Sequence, residues 1–205
     1  MEEYLVPTGF GEDEFIEKKS RFIGRLWPVE TEEEALAKIQ EMKKQHYDAT
    51  HNCWAYIIRD GAVRFSDDGE PGGTAGMPML QVLQREGLFN VVCVVTRYFG
   101  GILLGTGGLV RAYTQAAKLA LEAAPSGTMH VCVRLTVTVE YPLYERADLL
   151  LRTAGAHMEE PEFTHQVTLR CVLPQGEEAP LIPKLQEWSR GAAAIEVSPG
   201  FYTAF

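Results

Sequence analysis

A chain of 205 residues, 46% hydrophobic and 23% charged, has an ordinary globular composition and is long enough for one large domain or two small ones. Its formal net charge of −9 opposes indiscriminate binding to phosphate backbones, because the long-range field repels a polyanion, so any contact with nucleic acid has to be local. No apolar run reaches membrane-spanning length and Met1-Glu2-Glu3 lacks the basic start of a secretory signal, which makes the expectation a cytoplasmic protein with no membrane contact.

In chain order, Phe15 to Val29 reads as an extended segment. At its centre Lys18-Lys19-Ser20-Arg21 places three cations in four residues of an otherwise acidic region, a pattern that fits either a phosphate contact or a solvated sheet edge. Thr31 followed by Glu34 is a capping-box pattern. Ala35, Ile39 and Met42 then recur at helical spacing, so a structural helix is expected there. Cys53 to Arg59 and Ala62 to Ser66 flank Asp60-Gly61, a pair suited to a tight hairpin turn.

The hairpin leads into an unusual loop, Asp67-Asp68-Gly69-Glu70-Pro71-Gly72-Gly73-Thr74-Ala75-Gly76, and then a short helix from Met77-Pro78 to about Glu86. Asp67, Asp68 and Glu70 are weak candidate ligands for magnesium or calcium. Their spacing is not that of an EF-hand, and the plainer reading is a rigid, solvated turn. His51 and Cys53, two apart, share one face of a strand; they fit a nucleophilic pair or, more plainly, a satisfied histidine beside a packed thiol. The four cysteines lie about forty residues apart without the close pairs of zinc sites or redox dithiols, and Cys93, Cys132 and Cys171 fall in strand patterns as reduced core residues.

Val91 to Phe99 is apolar on both faces, as in a central strand. Five glycines follow, Gly100, Gly101, Gly105, Gly107 and Gly108, and then an alanine-rich helix to Glu122 with Leu109, Ala112, Tyr113, Ala116 and Ala120 as its buried stripe. A strand, a permissive loop and a helix start with unpaired N–H groups form a natural anion cradle, here flanked by Arg97 and Arg111. The alternative is that the glycines serve only turns and close packing. Neither the P-loop nor the dinucleotide fingerprint fits. Tyr98, Phe99 and Tyr113 are candidates for stacking on unpaired bases, with core packing the expectation for Phe99 and Tyr113.

Pro125-Ser126-Gly127 breaks the pattern and sets the expected boundary, giving domains 1–127 and 128–205. Neither is a basic module: Lys and Arg against Asp and Glu leave −5 up to Gly127 and −4 beyond it. The second domain opens with a half-buried strand, Val131 to Val139. A helix from Pro142 to Gly155, strands at His157 to Glu159 and Phe163 to Leu173, a helix from about Glu178 to Arg190 and a strand at Ala194 to Val197 complete a βαββαβ order, which is ferredoxin-like.

KKSRF at Lys18 to Phe22, HNCWAY at His51 to Tyr56, DDGEPGGTAGMPML at Asp67 to Leu80 and TRYFGGILLGTGGLVRAY at Thr96 to Tyr113 resemble the Impact/YigZ family in order and spacing. The resemblance covers residues 15 to 122 strongly and the second domain of bacterial members more loosely. It implies an α+β protein whose first domain has the fold of the second domain of ribosomal protein S-five. The second would be like a ferredoxin-like domain of translation elongation factor G. It also implies work in translation, which eukaryotic Impact proteins regulate under amino-acid starvation through protein contacts, and it supplies no catalytic residues.

The leading expectation is therefore a translation-associated regulatory protein, without a cofactor, that binds RNA or a ribosome-linked protein. The binding face would be Lys18, Lys19, Arg21, Arg97, Gly100, Gly101, Gly105, Gly107, Gly108 and Arg111. Two alternatives stay open. One is a metal-dependent enzyme acting on a phosphorylated small molecule or nucleotide, and the other is a protein-interaction module without nucleic-acid contact.

Overall fold

In the computed structural model, which describes Glu3 to Ala204, the chain divides into two units between Thr128 and Met129. The first contains β1 (Tyr4–Pro7), β2 (Gly11–Glu17), β3 (Ser20–Pro28), α1 (Glu32–Gln45), β4 (His51–Ile57), β5 (Val63–Ser66), α2 (Gly76–Arg85), β6 (Val91–Tyr98) and α3 (Thr106–Ala123). Strands β2-β3-β6-β4-β5 form an antiparallel sheet in that order. β6 sits at its centre because its β-branched residues fill both faces. Val91, Cys93 and Val95 pack toward α2 and α3 with Phe22, Leu26, Cys53 and Ala55, while Val92 and Val94 pack with Tyr56 against Ala35, Ile39 and Met42 of α1.

Gly24 shows why alanines line α3. A Cβ on Gly24 would lie 2.2 Å from the carbonyl oxygen of Ala116, so strand and helix touch backbone to backbone, with no room for side chains between them. α1 begins at the expected cap, where the Glu34 N–H donates to Thr31 Oγ1 at 3.2 Å, while the Glu34 carboxylate accepts from the Glu30 N–H at 2.7 Å, one residue before the cap.

The segment from Phe15 to Val29 is not one extended run. It is a hairpin of β2 and β3, paired from Gly11 opposite Leu26 to Glu17 opposite Ser20. Lys18 and Lys19 form its tip with φ of +45° and +65°, the two positive values that a two-residue hairpin turn demands. With neither Asn nor Gly at the tip, the sequence carries no signal for this turn. Nor do β1 and the first half of β2 show a clear strand pattern.

The second unit carries most of β7 (Ser126–Val139), α4 (Tyr144–Thr153) after a short 3-10 turn at Tyr141–Leu143, β8 (His157–Met158), β9 (Glu162–Phe163), β10 (Val167–Pro174), α5 (Leu181–Ser189), β11 (Ala194–Val197) and β12 (Phe201–Ala204). The order β8-β10-β7-β11, antiparallel throughout, is the ferredoxin-like arrangement of a βαββαβ unit. Alternate residues Leu135, Val137 and Val139 lie opposite Cys171, Leu169 and Val167, and Ala147, Leu151 and Leu185 close the core. The expected strand from Phe163 to Leu173 is interrupted at Thr164, whose N–H donates to the Gln166 carbonyl. β12, absent from the sequence reading, pairs with the amino-terminal half of β7. No helix among the described residues is long and apolar enough to cross a membrane.

Candidate functional site

All parts of the site belong to the first unit. The acidic loop is built by its own carboxylates. Asp67 accepts from the N–H groups of Gly73, Ala75 and Gly76 at 2.8, 3.0 and 2.8 Å and so braces the entry to α2. Asp68 pairs with Lys43 at 2.6 Å and accepts from the Asn52 N–H at 2.7 Å. Glu70 turns inward, where its Oε1 accepts from Arg97 Nη1 at 2.6 Å and from the Tyr113 hydroxyl at 2.7 Å. The three carboxylates that the sequence groups as candidate metal ligands thus point to three separate sets of partners. Among the described residues no cluster of three His, Cys, Asp or Glu side chains is arranged for a metal.

Arg97 is not the surface cation expected from its place beside the glycines. It is 5% exposed, and besides Glu70 its Nη2 donates to Ser20 Oγ at 3.3 Å, while its guanidinium lies 5.4 Å from the Phe22 ring centre and 5.5 Å from that of Phe99. Strand parity contains the missed signal. Arg97 alternates with Val95 and Cys93, so it faces α3 and the core rather than solvent. Burial drives the Tyr113 hydroxyl pKa upward and the neighbouring Cys53 and Glu70 push the same way, so it acts as a donor to the Glu70 carboxylate.

Cys53 donates its thiol to the Asp67 carbonyl at 3.0 Å. Burial raises its pKa, opposite to what a nucleophile needs. His51 donates from Nδ1 to the Asp68 carbonyl at 2.8 Å, which leaves Nε2 facing Glu70 Oε2 at 3.7 Å. The pair is a fixed imidazole beside a packed thiol, in line with the plainer of its two readings. All four cysteines are free and buried.

Three of the expected cations stay at the surface without an ion pair among the described residues. Lys18 and Lys19 ride on the hairpin tip, which the glycine loop touches directly: a Cβ on Gly100 would lie 2.0 Å from the Lys19 carbonyl oxygen. The Gly100 N–H donates to Ser20 Oγ at 3.2 Å. Lys18 and Arg111, far apart in sequence, line one hollow of about 170 Å³ with Glu17, Phe15 and Leu104. Among the described residues no ion pair engages Lys18, Lys19 or Arg111. Arg21 is engaged, with its guanidinium 2.5 Å from Glu14.

Beside this cationic hollow lies a larger one of about 370 Å³, where the two glycine-rich loops meet. Gly69 and Pro71 come from one loop, Leu103 and Gly105 from the other, and His51, Glu70 and Arg97 line it as well. Gly105 is the N-cap of α3 and supplies no side-chain cap, so the first amides of the helix keep their donor capacity. Gly107 and Gly108 lie in the first turn of α3; Gly108 lines the cationic hollow, whereas Gly100, Gly101 and Gly107 line neither. Phe99, expected in the core, is 44% exposed at the rim, and Tyr113 is fully buried. Tyr98 spends its hydroxyl on His46 and Asp48.

Residues 18–121 match the Impact N-terminal domain, and residues 137–192 match a domain of unknown function, DUF1949. The chain belongs to the IMPACT family. IMPACT family member YvyE of Bacillus subtilis is 36% identical over 96% of this chain and 91% of its own. IMPACT family member YigZ of Escherichia coli is 37% identical over 95% of this chain and 98% of its own. A crystal structure titled only as that of a hypothetical protein superposes with a TM-score of 0.62 at 36% identity, covering 95% of this chain and 97% of that one. The IMPACT amino-terminal match opens at Lys18, so the hairpin tip, both glycine-rich loops and Arg111 all fall inside it.

Proposed function

We propose that the protein is a translation-associated regulator that holds RNA through a local cationic face on an otherwise acidic surface. The observation that carries this reading is the convergence of Lys18 and Arg111 on one hollow beside the glycine loop, with no carboxylate paired to either. A phosphate there gains two cationic donors, reinforced by Lys19 and the positive end of α3. Membership of the IMPACT family supports the link to translation, through what resemblance to its eukaryotic members implies. Arg97 has a different part. It fixes Glu70 and Ser20, and through Ser20 the glycine loop. The metal-dependent enzyme alternative loses support because Asp67, Asp68 and Glu70 turn to three separate sets of partners rather than toward one another.

The test is the affinity for short single-stranded RNA across a salt series. Each phosphate contact on a single strand contributes about 0.7 to the slope of log affinity against log salt. Lys18→Ala with Arg111→Ala should weaken binding and lower that slope by about 1 to 1.5. An unchanged slope and affinity would remove the reading.

A further inference from the structure

The larger hollow is poorly suited to the phosphate itself. Its walls are mostly apolar, from Phe99, Leu103, Leu104, Leu109 and Pro71, and its one guanidinium is already neutralised by Glu70. Its volume of about 370 Å³ falls in the range of pockets that enclose small organic groups, from about 300 Å³ upward. The floor nevertheless holds unspent hydrogen-bonding capacity. Glu70 Oε2 and His51 Nε2 stand 3.7 Å apart with no hydrogen bond of their own, whereas Arg97 Nε is sealed from solvent and serves the ion pair beneath them. Two acceptors this close complement a planar edge that carries N–H donors.

The rim points the same way. Phe99 is 44% and Leu103 82% exposed, an apolar lip that water alone does not favour. Leu104 lines this hollow and the cationic one alike, so a mostly apolar chamber and a cationic chamber adjoin at that side chain. A nucleotide divides into the same two parts, a neutral planar base and an anionic phosphate.

We propose that the larger hollow receives one unstacked nucleobase of single-stranded RNA, with Phe99 as its stacking wall and Glu70 and His51 reading its edge, while Lys18 and Arg111 hold an adjacent phosphate. Recognition of splayed bases by aromatic stacking and edge hydrogen bonds is how proteins read unpaired RNA. The inference rests on the RNA-binding reading above and goes beyond it by assigning the two chambers separate halves of the ligand.

The experiment compares, by fluorescence anisotropy on the full chain, a short mixed-sequence single-stranded RNA with an oligomer of the same length whose sugars and phosphates are kept but whose bases are missing. The unmodified protein should bind the abasic oligomer about tenfold or more weakly, and Phe99→Ala should bind the two oligomers alike while keeping the unmodified protein's salt slope. Equal affinity of the unmodified protein for both, with a normal salt slope, overturns the base pocket and leaves the phosphate reading standing. Failure to bind either overturns both. The first comparison needs no variant, so a folding defect in Phe99→Ala cannot mask the answer.

Discussion

Arg97 and Arg111 flank the same glycines and do opposite things. Arg97 shares a nearly solvent-free ion pair with Glu70, their side chains 6% and 3% exposed. Removing one partner of such a pair strands the other charge, at about 3–5 kcal/mol. Arg97→Ala should therefore lower stability by that amount in urea unfolding, whereas Arg111→Ala should stay within about 0.5 kcal/mol. Similar losses for both would mean that Arg97 is not the internal brace described.

His46 supplies a pH-dependent residue-scale prediction. Burial, and then the charge of Arg25, lower its pKa below the ordinary 6.5. Its Nε2 is buried without a partner, so a proton there would be unsatisfied. A folded-state pKa below the unfolded one means that the unfolded chain takes up the proton first. The contribution is whole above about 6.5 and is lost as pH falls through the lowered value. The melting temperature should drop as pH falls from 8 to 5, and His46→Gln should flatten that decline. An identical decline in the variant would assign the effect to other groups.

At the scale of elements, the hairpin tip carries a conflict between stability and the proposed task. Lys18 and Lys19 occupy left-handed backbone, which costs about 1–2 kcal/mol for a residue with a Cβ. Asn-Gly is the pair that such a turn favours. Lys18→Asn with Lys19→Gly should raise stability by about 1 kcal/mol in thermal or urea unfolding and weaken RNA binding at the same time. A variant that gains stability and keeps full affinity would detach the lysines from the ligand.

How far the elements could be read in advance follows from where their signals lie. Thr31 with Glu34, the apolar run of β6 and the alanine stripe of α3 are local patterns, and the structure has them where the sequence places them. The Lys18-Lys19 turn is imposed by pairing across β2 and β3, β12 by the open edge of β7, and the exposure of Phe99 by two loops that meet only in the folded chain. Those causes are tertiary, and no window of sequence contains them. Arg97 is the intermediate case: parity along β6 carried the information, but the adjacent glycines suggested solvent.

For the whole molecule, a net charge of −9 sets the long-range field against RNA, so binding has to be short-ranged and to rest on a few phosphate contacts, with a correspondingly modest salt slope. Each unit has its own core, and the second has a ferredoxin-like sheet, so either could carry a ligand by itself, and RNA is assigned here to the first. Ultraviolet cross-linking of bound single-stranded RNA, with the attached peptides identified by mass spectrometry, tests that assignment most directly. Cross-links should fall on the hairpin tip at Lys18-Lys19 and on the stretch from Phe99 to Arg111. Cross-links confined to the chain beyond Met129 would contradict the account.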